Sequence, residues 1–378
     1  MHTTIAAADA AHFLSLVPHL LGFRPVRSLV VVPFAAKRSL GALRIDLPDG
    51  SADHLDGVAS SVAGMVCRIP DADGVAAVAY TDASVVDGLP ATEVLAAVDR
   101  AADACGLRVV DLMTVGADGW GSHLDADLPA AGRPLDEIAM AATDPPAAAG
   151  AGDPTADQAA GAELPHCGPA ERRAVGRAAR ELGAAIEVVC GMPRIGPDVT
   201  VSAAAVVAAG ELDDLPQLYE AALQQGTASL APMRIAQLTW CLSRPSLRDI
   251  ALVQWATDLG HGDEALGAQH GWEETGEYPD HLARIMWGDA ERPDPVRLAA
   301  ALDLVRHVAA RSPRRARPGP LALCAWLSWA LGRSTHADRY ARQALEIDPD
   351  HGLSEILCAF VQAGHLPDWA FRRPGHVR

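Results

Sequence analysis

The sequence predicts a two-part protein: an α/β N-terminal domain with a mixed sheet and helices, then an all-α C-terminal domain with one tetratricopeptide-like helical hairpin. Three observations carry this prediction. The first part of the chain alternates β-branched runs with helical patterns, as layered α/β folds do. A stretch rich in Ala, Gly and Pro follows, and beyond it apolar residues recur at the three- and four-residue spacing of helices. We place the α/β domain at residues 1–140, the linker at 141–168 and the helical domain at 169–370.

The first element is a helix with one apolar face. Its apolar residues cluster between Leu14 and Leu21, and Asp9 precedes them as an N-cap. Pro18 predicts an end or a kink, because its ring removes a backbone donor and crowds the preceding turn. Gly22 tolerates a positive φ angle and therefore suits the reversal that follows.

Two strands come next and form a predicted antiparallel hairpin. Residues 28–34 are a continuous β-branched run, which is typical of a strand covered on both faces. Residues 40–47 alternate instead, so that Arg44 and Asp46 point to a polar face. Leu43, Ile45 and Leu47 point to the core. The five intervening residues are a normal hairpin length.

The remainder of the first domain alternates helices and strands. The predicted order is a helix at 52–69, a strand at 75–80, a helix at 92–105, a strand at 107–115 and a short edge strand at 120–123. Gly106 stands where a helix C-cap is expected. Because the domain opens with a hairpin, the sheet is predicted to be mixed rather than purely parallel.

One stretch resembles a known family. The pattern P-x-L-L-G-F-x-P-x-x-S-L-V-V-V, from residue 18 to 32, is followed by an R-x-D-L strand. This combination is similar to the start of an actinobacterial family known as domain of unknown function 4192. The Gly119-Trp120 turn, Arg248-Asp249 at a helix start and the run at 321–357 are similar to it as well. The family carries no assigned activity, so the resemblance implies relatedness and no particular chemistry.

The second domain is predicted to be helical from residue 213 onward. Its segments lie at 214–225, 228–243, 246–259, 279–287, 294–311, 320–331, 335–347 and 352–363. Residues 320–350 resemble one tetratricopeptide hairpin, with Gly332, Ala344 and Pro349 at matching positions. Residues 186–190 and 199–201 are interpreted as short strands or extended loops.

Charge and cysteine content bound the functional classes. The chain has a formal net charge of −17 and a single lysine, Lys37, and an acidic surface repels nucleic acid. A local exception is the arginine run at 306–317, which is either a solvated loop after a helix or a weak nucleic-acid contact. Seven scattered cysteines without a C-x-x-C pair indicate free thiols, mostly buried, and no disulfide-linked partner. We expect a cytoplasmic protein that does not enter the membrane.

Common catalytic motifs are absent from the sequence, and no cofactor or metal is predicted. Adjacent His166 and Cys167, and the residues from His123 to Asp127, are more simply interpreted as loops than as a nucleophile or a cation site. The leading functional hypothesis is a non-catalytic protein-interaction or regulatory protein with an unidentified protein partner. The alternatives are an enzyme or small-molecule binder with a site at the interdomain cleft, and a nucleic-acid-associated protein that uses the arginine run.

Candidate contact residues come from paired charges and one aromatic side chain. Arg44 offers a planar fork of donors to an acidic ligand or partner, with Asp46 orienting it; the simpler interpretation of the same pair is a structural ion pair or a hydrogen-bonded link to a neighbouring helix. Arg248 and Asp249 carry the same ambiguity, because an acid near a helix start is stabilising in any case. Together with Trp120, these five residues form the predicted contact set.

Overall fold

The computed structural model describes residues 7–142, 153–191, 201–227 and 229–372. The chain divides into two compact units, Met1–Ala160 and Gly161–Arg378. The first has a mixed sheet covered by helices and the second is mainly helical, as the sequence predicts. Part of the stretch interpreted as a linker lies outside the described residues. Its described part divides between the two units.

The first unit contains four helices and six strands among its described residues. They are α1 (Ala10–Leu21), β1 (Ser28–Ala35), β2 (Arg38–Ser39), β3 (Leu43–Asp46), α2 (Ala52–Cys67), β4 (Gly74–Tyr80), α3 (Thr92–Ala104), β5 (Arg108–Val115), β6 (Trp120–Ser122) and α4 (Asp136–Ala141). The predicted order of helices and strands is confirmed, with shifts of a few residues at the ends.

Strand β1 lies inside the sheet and pairs on both of its edges. It is antiparallel to β2 and β3 on one side and to β4 on the other. β4 runs parallel to β5, and β6 adds an antiparallel edge strand. The predicted hairpin is therefore confirmed, with Val31 opposite Leu43, and so is the short edge strand at Trp120.

The two faces of the sheet carry separate cores. Leu29 and Val31 point toward α2 and α3 on one face. Val30 and Val32 point toward α1 and α4 on the other. All four side chains are at most 1% exposed, which is why this strand reads as an unbroken apolar run rather than an alternating one.

Helix α1 begins after Asp9 and ends before Gly22, where the sequence predicts the chain to reverse. The Asp9 carboxylate accepts from the backbone N–H of His12 at 2.8 Å and caps the helix. Pro18 lies inside the helix, so an end there, one of the two predicted outcomes, is wrong. Its carbonyl accepts from the N–H of Gly22 and of Phe23, and this closes the last turn although the proline itself has no donor. Gly22 then ends the helix with φ 76°.

Val85 fills a hole lined by three glycines in the loops at the end of the sheet. A Cβ atom added to Gly116, Gly119 or Gly132 would come within 2.5–2.8 Å of the Val85 side chain. The Asp118 carboxylate, in the same turn, accepts from the Val85 backbone N–H at 2.9 Å. These contacts lock the loop after β4 onto the turn between β5 and β6.

The second unit contains eleven helices among its described residues, besides short 3-10 turns. They are α5 (Pro169–Val189), α6 (Ala203–Gly210), α7 (Leu215–Gln225), α8 (Pro232–Leu242), α9 (Pro245–Ala256), α10 (Leu259–Thr275), α11 (Asp280–Trp287), α12 (Pro295–Arg311), α13 (Pro318–Ala330), α14 (Ser334–Leu345) and α15 (Gly352–Gln362). Helices α12, α13 and α14 pack in succession along the chain.

The sequence patterns do not predict two helices of this unit, α6 and α10, and they predict a strand or loop where α5 continues. α10 contains four glycines that interrupt any apolar face, and α6 is short and almost wholly Ala and Val. Residues 186–189 continue α5, so a strand there is wrong. The other candidate strand, at 199–201, lies mostly outside the described residues.

Tryptophan rings dominate the core of the second unit. Trp255, Trp326, Trp329 and Trp369 are at most 2% exposed. Three of their indole groups donate to backbone carbonyls: Trp326 to Met286 at 2.9 Å, Trp329 to His365 at 2.8 Å and Trp369 to Ala330 at 3.2 Å. Large rings whose N–H groups are satisfied bury much area without a polar penalty.

A buried polar knot joins α7, α9, α10 and α12. Arg297 donates to both carboxylate oxygens of Glu220 at 3.0 and 2.6 Å. The fully buried Gln254 amide donates to Glu220 at 3.1 Å and to the Pro216 carbonyl at 2.9 Å. Gly262 of α10 lets that helix approach, because a Cβ there would overlap the Gln254 side chain. None of the helices in the described ranges is long and apolar enough to cross a membrane.

The polar knot generates a stability prediction. We expect Gly262→Ala to lower the free energy of unfolding by about 1–3 kcal/mol, because the new methyl group displaces the hydrogen-bonded Gln254 amide. Gly267→Ala is the matched control on the same helix, since nothing lies within 4 Å of its added Cβ. It should raise the free energy of unfolding by about 0.5–1 kcal/mol. Chemical denaturation of both variants measures the difference, and equal stabilisation by the two would contradict the tight approach.

Candidate functional site

Arg44 and Asp46 form an ion pair at the edge of the first unit's sheet. Arg44 Nη2 donates to Asp46 Oδ1 at 2.6 Å, and Arg44 Nε donates to the Ser28 hydroxyl at 2.7 Å. Only 10% of the Arg44 side chain is exposed, against 90% for Asp46. Arg44 therefore ties β3 to β1, while Asp46 faces solvent.

Cross-strand register places Asp46 and Trp120 in one row. Asp46 is opposite Ser28, Ser28 is opposite Tyr80, Tyr80 is opposite Val115, and Val115 is opposite Trp120. Directly opposed residues share a face of the sheet. The two ends of the row are four strand spacings apart, which is about 19 Å at about 4.8 Å per spacing. The structure thus puts these two predicted site residues on one face without bringing them into contact.

Two polar groups in this row are buried without a hydrogen-bond partner among the described residues. They are the Tyr80 hydroxyl and Trp120 Nε1. Burial raises the pKa of Tyr80 well above its ordinary value. Arg133 lies 5.8 Å from the centre of the Trp120 ring and is held by Asp125 at 2.8 Å. A buried donor left unsatisfied costs about 1–3 kcal/mol, so a water molecule or a ligand acceptor in this row would be stabilising.

Arg248 and Asp249 lie in the helical unit. Arg248 Nε donates to Asp249 Oδ1 at 2.9 Å, and Arg248 Nη2 lies 2.8 Å from the same oxygen in an ion pair. Burial raises the pKa of Asp249 although the Arg248 charge opposes it. Burial, with the Asp249 charge adding to it, raises the pKa of Tyr278 to about 12. Burial and the Arg248 charge together lower the pKa of His351. The pair is therefore the centre of a small group of titratable side chains.

A non-helical stretch, residues 161–165, packs onto helices α12 and α14, and we name it the seated segment. Ala162 is fully buried in the core of the helical unit. Arg306 Nη2 of α12 donates to the Glu163 carbonyl oxygen at 2.6 Å. Arg339 Nη1 of α14 donates to Glu163 Oε1 at 2.8 Å. Two arginines thus hold one residue, by its backbone and by its side chain.

The surroundings of Glu163 are basic. We name Arg306, Arg333 and Arg339 the basic cluster. Desolvation, followed by the like charge of Arg306, lowers the pKa of Arg333, although Arg333 as a whole residue is exposed. Tyr340 is fully buried, and its hydroxyl lies near Arg306 but outside hydrogen-bonding geometry. Arg306 Nε is likewise buried without a partner in the part of the chain that the structure describes.

The arginine run at 306–317 is used largely within the protein. Arg306 binds the seated segment, Arg311 lies 3.9 Å from the Glu171 carboxylate, and Arg317 donates to backbone carbonyls at 3.0 and 3.3 Å. Arg314 and Arg315 are the exposed members. Three of the five arginines therefore have intramolecular roles.

The seven cysteines are free, and three of them are exposed. The other four are buried, and Cys67, at the end of α2, is one of the exposed thiols. Burial raises the pKa of the Cys167 thiol, which works against a nucleophilic thiolate there. His123 Nε2 is 2.9 Å from the Thr114 hydroxyl. No group of three or more metal-ligating side chains occurs within the described ranges.

One known family matches most of the chain. The model of the family described as "Domain of unknown function (DUF4192)" matches residues 11–269 and 285–368. The chain belongs to this family. The resemblance inferred from the N-terminal pattern is thereby confirmed. No curated protein and no solved structure matches the chain.

The DUF4192 match includes the predicted contact residues and the seated segment alike. Sequence reasoning missed the segment because residues 161–165 stand at the end of an Ala, Gly and Pro-rich stretch that reads as a linker. The available signal was small: Ala162 and Leu164 flank a glutamate, and both side chains pack on the helical core.

The link between Arg44 and Ser28 generates a second prediction. We expect Arg44→Ala to lower the free energy of unfolding by about 1–3 kcal/mol, because the buried Ser28 hydroxyl loses its donor and β3 loses its tie to β1. Asp46→Ala should change stability little, since that carboxylate is solvated. Urea denaturation of the two variants separates a structural role from a surface one. Equal losses would show that the ion pair itself, and not the link to Ser28, stabilises the strand.

The unsatisfied Tyr80 hydroxyl generates a third prediction. Tyr80→Phe should leave stability unchanged or raise it by about 1 kcal/mol, because no hydrogen bond is lost. Tyr219→Phe is the matched control: its hydroxyl donates to the Leu247 carbonyl at 2.9 Å, and removing it should cost about 1 kcal/mol. Thermal unfolding of both variants makes the comparison. A loss at Tyr80 as large as that at Tyr219 would indicate that water or a ligand binds the Tyr80 hydroxyl.

Proposed function

We propose that the protein is a non-catalytic interaction protein whose helical unit binds a short acidic peptide of a protein partner. One observation carries the proposal: the surface formed by α12 and α14 already holds a peptide-like stretch, the seated segment. The contacts are those of peptide recognition, with one donor on a backbone carbonyl and one on a side-chain carboxylate. A small side chain, Ala162, is buried beneath them.

The helix arrangement supports this proposal. We interpret α13 and α14 as the tetratricopeptide-like hairpin predicted at 320–350, with α12 packed beside it. Tyr340 and Ala341 of α14 lie on the inner side and are fully buried. A helical surface that presents arginines is suited to an acidic, non-helical segment. The cytoplasm is the proposed compartment, because a reducing setting keeps the free cysteines reduced.

A second candidate function is an enzyme or a small-molecule binder that uses Asp249. The raised pKa of Asp249 beside Arg248 and Tyr278 is a feature of functional acids. A depression of about 310 Å³ is lined by Tyr278, Thr275 and Gly271 among others. Loss of a measured ligand affinity in Asp249→Asn, with the fold retained, would favour this candidate over peptide binding.

Nucleic-acid association is the weakest of the three proposals. Most of the arginine run contacts protein groups, which leaves Arg314 and Arg315 to meet a phosphate backbone. Two cations on a chain of net charge −17 give little long-range attraction.

Peptide titration tests the proposed function. We expect a fluorescein-labelled peptide AAGAELPH, the sequence of residues 159–166, to bind the full-length Glu163→Arg variant, in which the chain's own carboxylate no longer occupies the site. The counterpart AAGAKLPH should bind at least about tenfold more weakly, because its lysine meets the basic cluster. Binding is measured by fluorescence anisotropy at protein concentrations up to about 1 mM. This limit matches the millimolar effective concentration of a segment tethered near its site, so a peptide as weak as the segment is still detected.

A matched pair of variants localises the binding. Arg339→Ala, added to Glu163→Arg, should weaken the acidic peptide by about two- to fivefold, as expected for a partly exposed ion pair. Arg342→Ala on the same helix should not, because Arg342 pairs with Asp338. Binding of neither peptide would overturn the proposed function, and equal binding of both would overturn its acidic specificity.

A further inference from the structure

The seated segment occupies its site incompletely. Tyr340 is 0% exposed, and its hydroxyl has no hydrogen-bond partner within the described ranges. The same holds for Nε of Arg306, whose Nη2 binds the segment. Arg306 Nη2 contacts the Glu163 carbonyl, and burial, with the Glu163 charge adding to it, raises the pKa of Tyr340. An optimal ligand would satisfy such donors, because buried polar groups are normally paired. The segment leaves them unsatisfied.

The charges at the site also indicate that the seated segment is an incomplete occupant. Three arginines make up the basic cluster, and the seated segment offers it the single carboxylate of Glu163. The ion pair with Arg339 is partly solvated, with side chains 38% and 61% exposed. A peptide with a second acceptor near its glutamate would therefore match the cluster better than the segment does.

A weak occupant can still fill a site when it belongs to the same chain. A short tether holds a segment near its site at an effective concentration in the millimolar range. The seated segment follows directly from residues that belong to the other unit, so it is tethered on both sides. Occupancy thus requires no tight binding.

We propose that the seated segment is an intramolecular competitor, which blocks the peptide site until an acidic partner peptide displaces it. This inference rests on the proposed function of the helical unit. The partner peptide is non-helical, with a small residue before an acidic one, as Ala162 precedes Glu163, and an apolar residue after it, as Leu164 follows. A second acidic group or free carbonyl is expected to engage the Tyr340 hydroxyl and Arg306 Nε.

Comparison of the wild-type chain with Glu163→Arg tests the inference. The labelled peptide AAGAELPH should bind Glu163→Arg at least about tenfold more tightly than wild type, because the reversed charge expels the segment from the basic cluster. Glu291→Arg is the matched control, with the same change of charge at an exposed glutamate of the same unit. It should bind the peptide as wild type does.

The outcomes separate this inference from the function on which it rests. Equal, measurable affinity of wild type and Glu163→Arg overturns the competition but leaves peptide binding standing. Absence of binding in every variant overturns the proposed function itself. Where Glu163→Arg does not fold, hydrogen exchange on the wild-type chain decides: saturating peptide should remove protection from the amides of residues 161–165. Unchanged exchange with the peptide bound overturns the inference.

Discussion

The N-terminal unit depends on one constraint, the burial of strand β1 on both faces and along both edges. A strand with no solvated side requires backbone partners left and right, and apolar helices above and below. The antiparallel strands β3 and β4 supply the first, and α1 and α2 contribute to the second. The hydrogen bond from Arg44 to Ser28 contributes to the burial of β1 as well. It satisfies the hydroxyl of the fully buried Ser28, at the point where the strand begins.

The helical unit solves a different problem. Its core contains large side chains that carry N–H donors. The Trp326 indole donates to a backbone carbonyl and the Gln254 amide nitrogen donates to a carboxylate. Six buried side-chain polar atoms of this unit have no partner among the described residues, and two of them, the Tyr340 hydroxyl and Arg306 Nε, belong to neighbouring side chains. Both lie where a piece of chain without helix or strand meets the helices. Tyr80 and Trp120 in the sheet are unsatisfied as well. What singles out the helical surface is that its two unsatisfied atoms stand beside a site that already binds the seated segment.

Much of the sheet could be predicted from sequence, because period-two and continuous apolar patterns depend on neighbours only a few residues away. The hairpin and the edge strand at Trp120 are examples. The ends of helices and strands were harder to predict. Pro18 stays inside a helix, where its carbonyl accepts two backbone N–H groups, and no sequence pattern reveals those hydrogen bonds. Helix α10 was missed because its glycines serve contacts such as that of Gly262 with Gln254. The site at Glu163 required distant partners on α12 and α14, and local patterns carry no such information.

The packing of Val85 against three glycines has a consequence for local unfolding of the first unit. Its methyl groups fill a space bounded by Gly116, Gly119 and Gly132, so outward movement of either loop gives up contacts that both loops share. The two loops should therefore behave as a single cooperative element in local unfolding, although many residues separate them in the chain. Local unfolding at that end of the sheet is then expected to be cooperative: when the Val85 side chain leaves the space between the glycines, both loops unfold together.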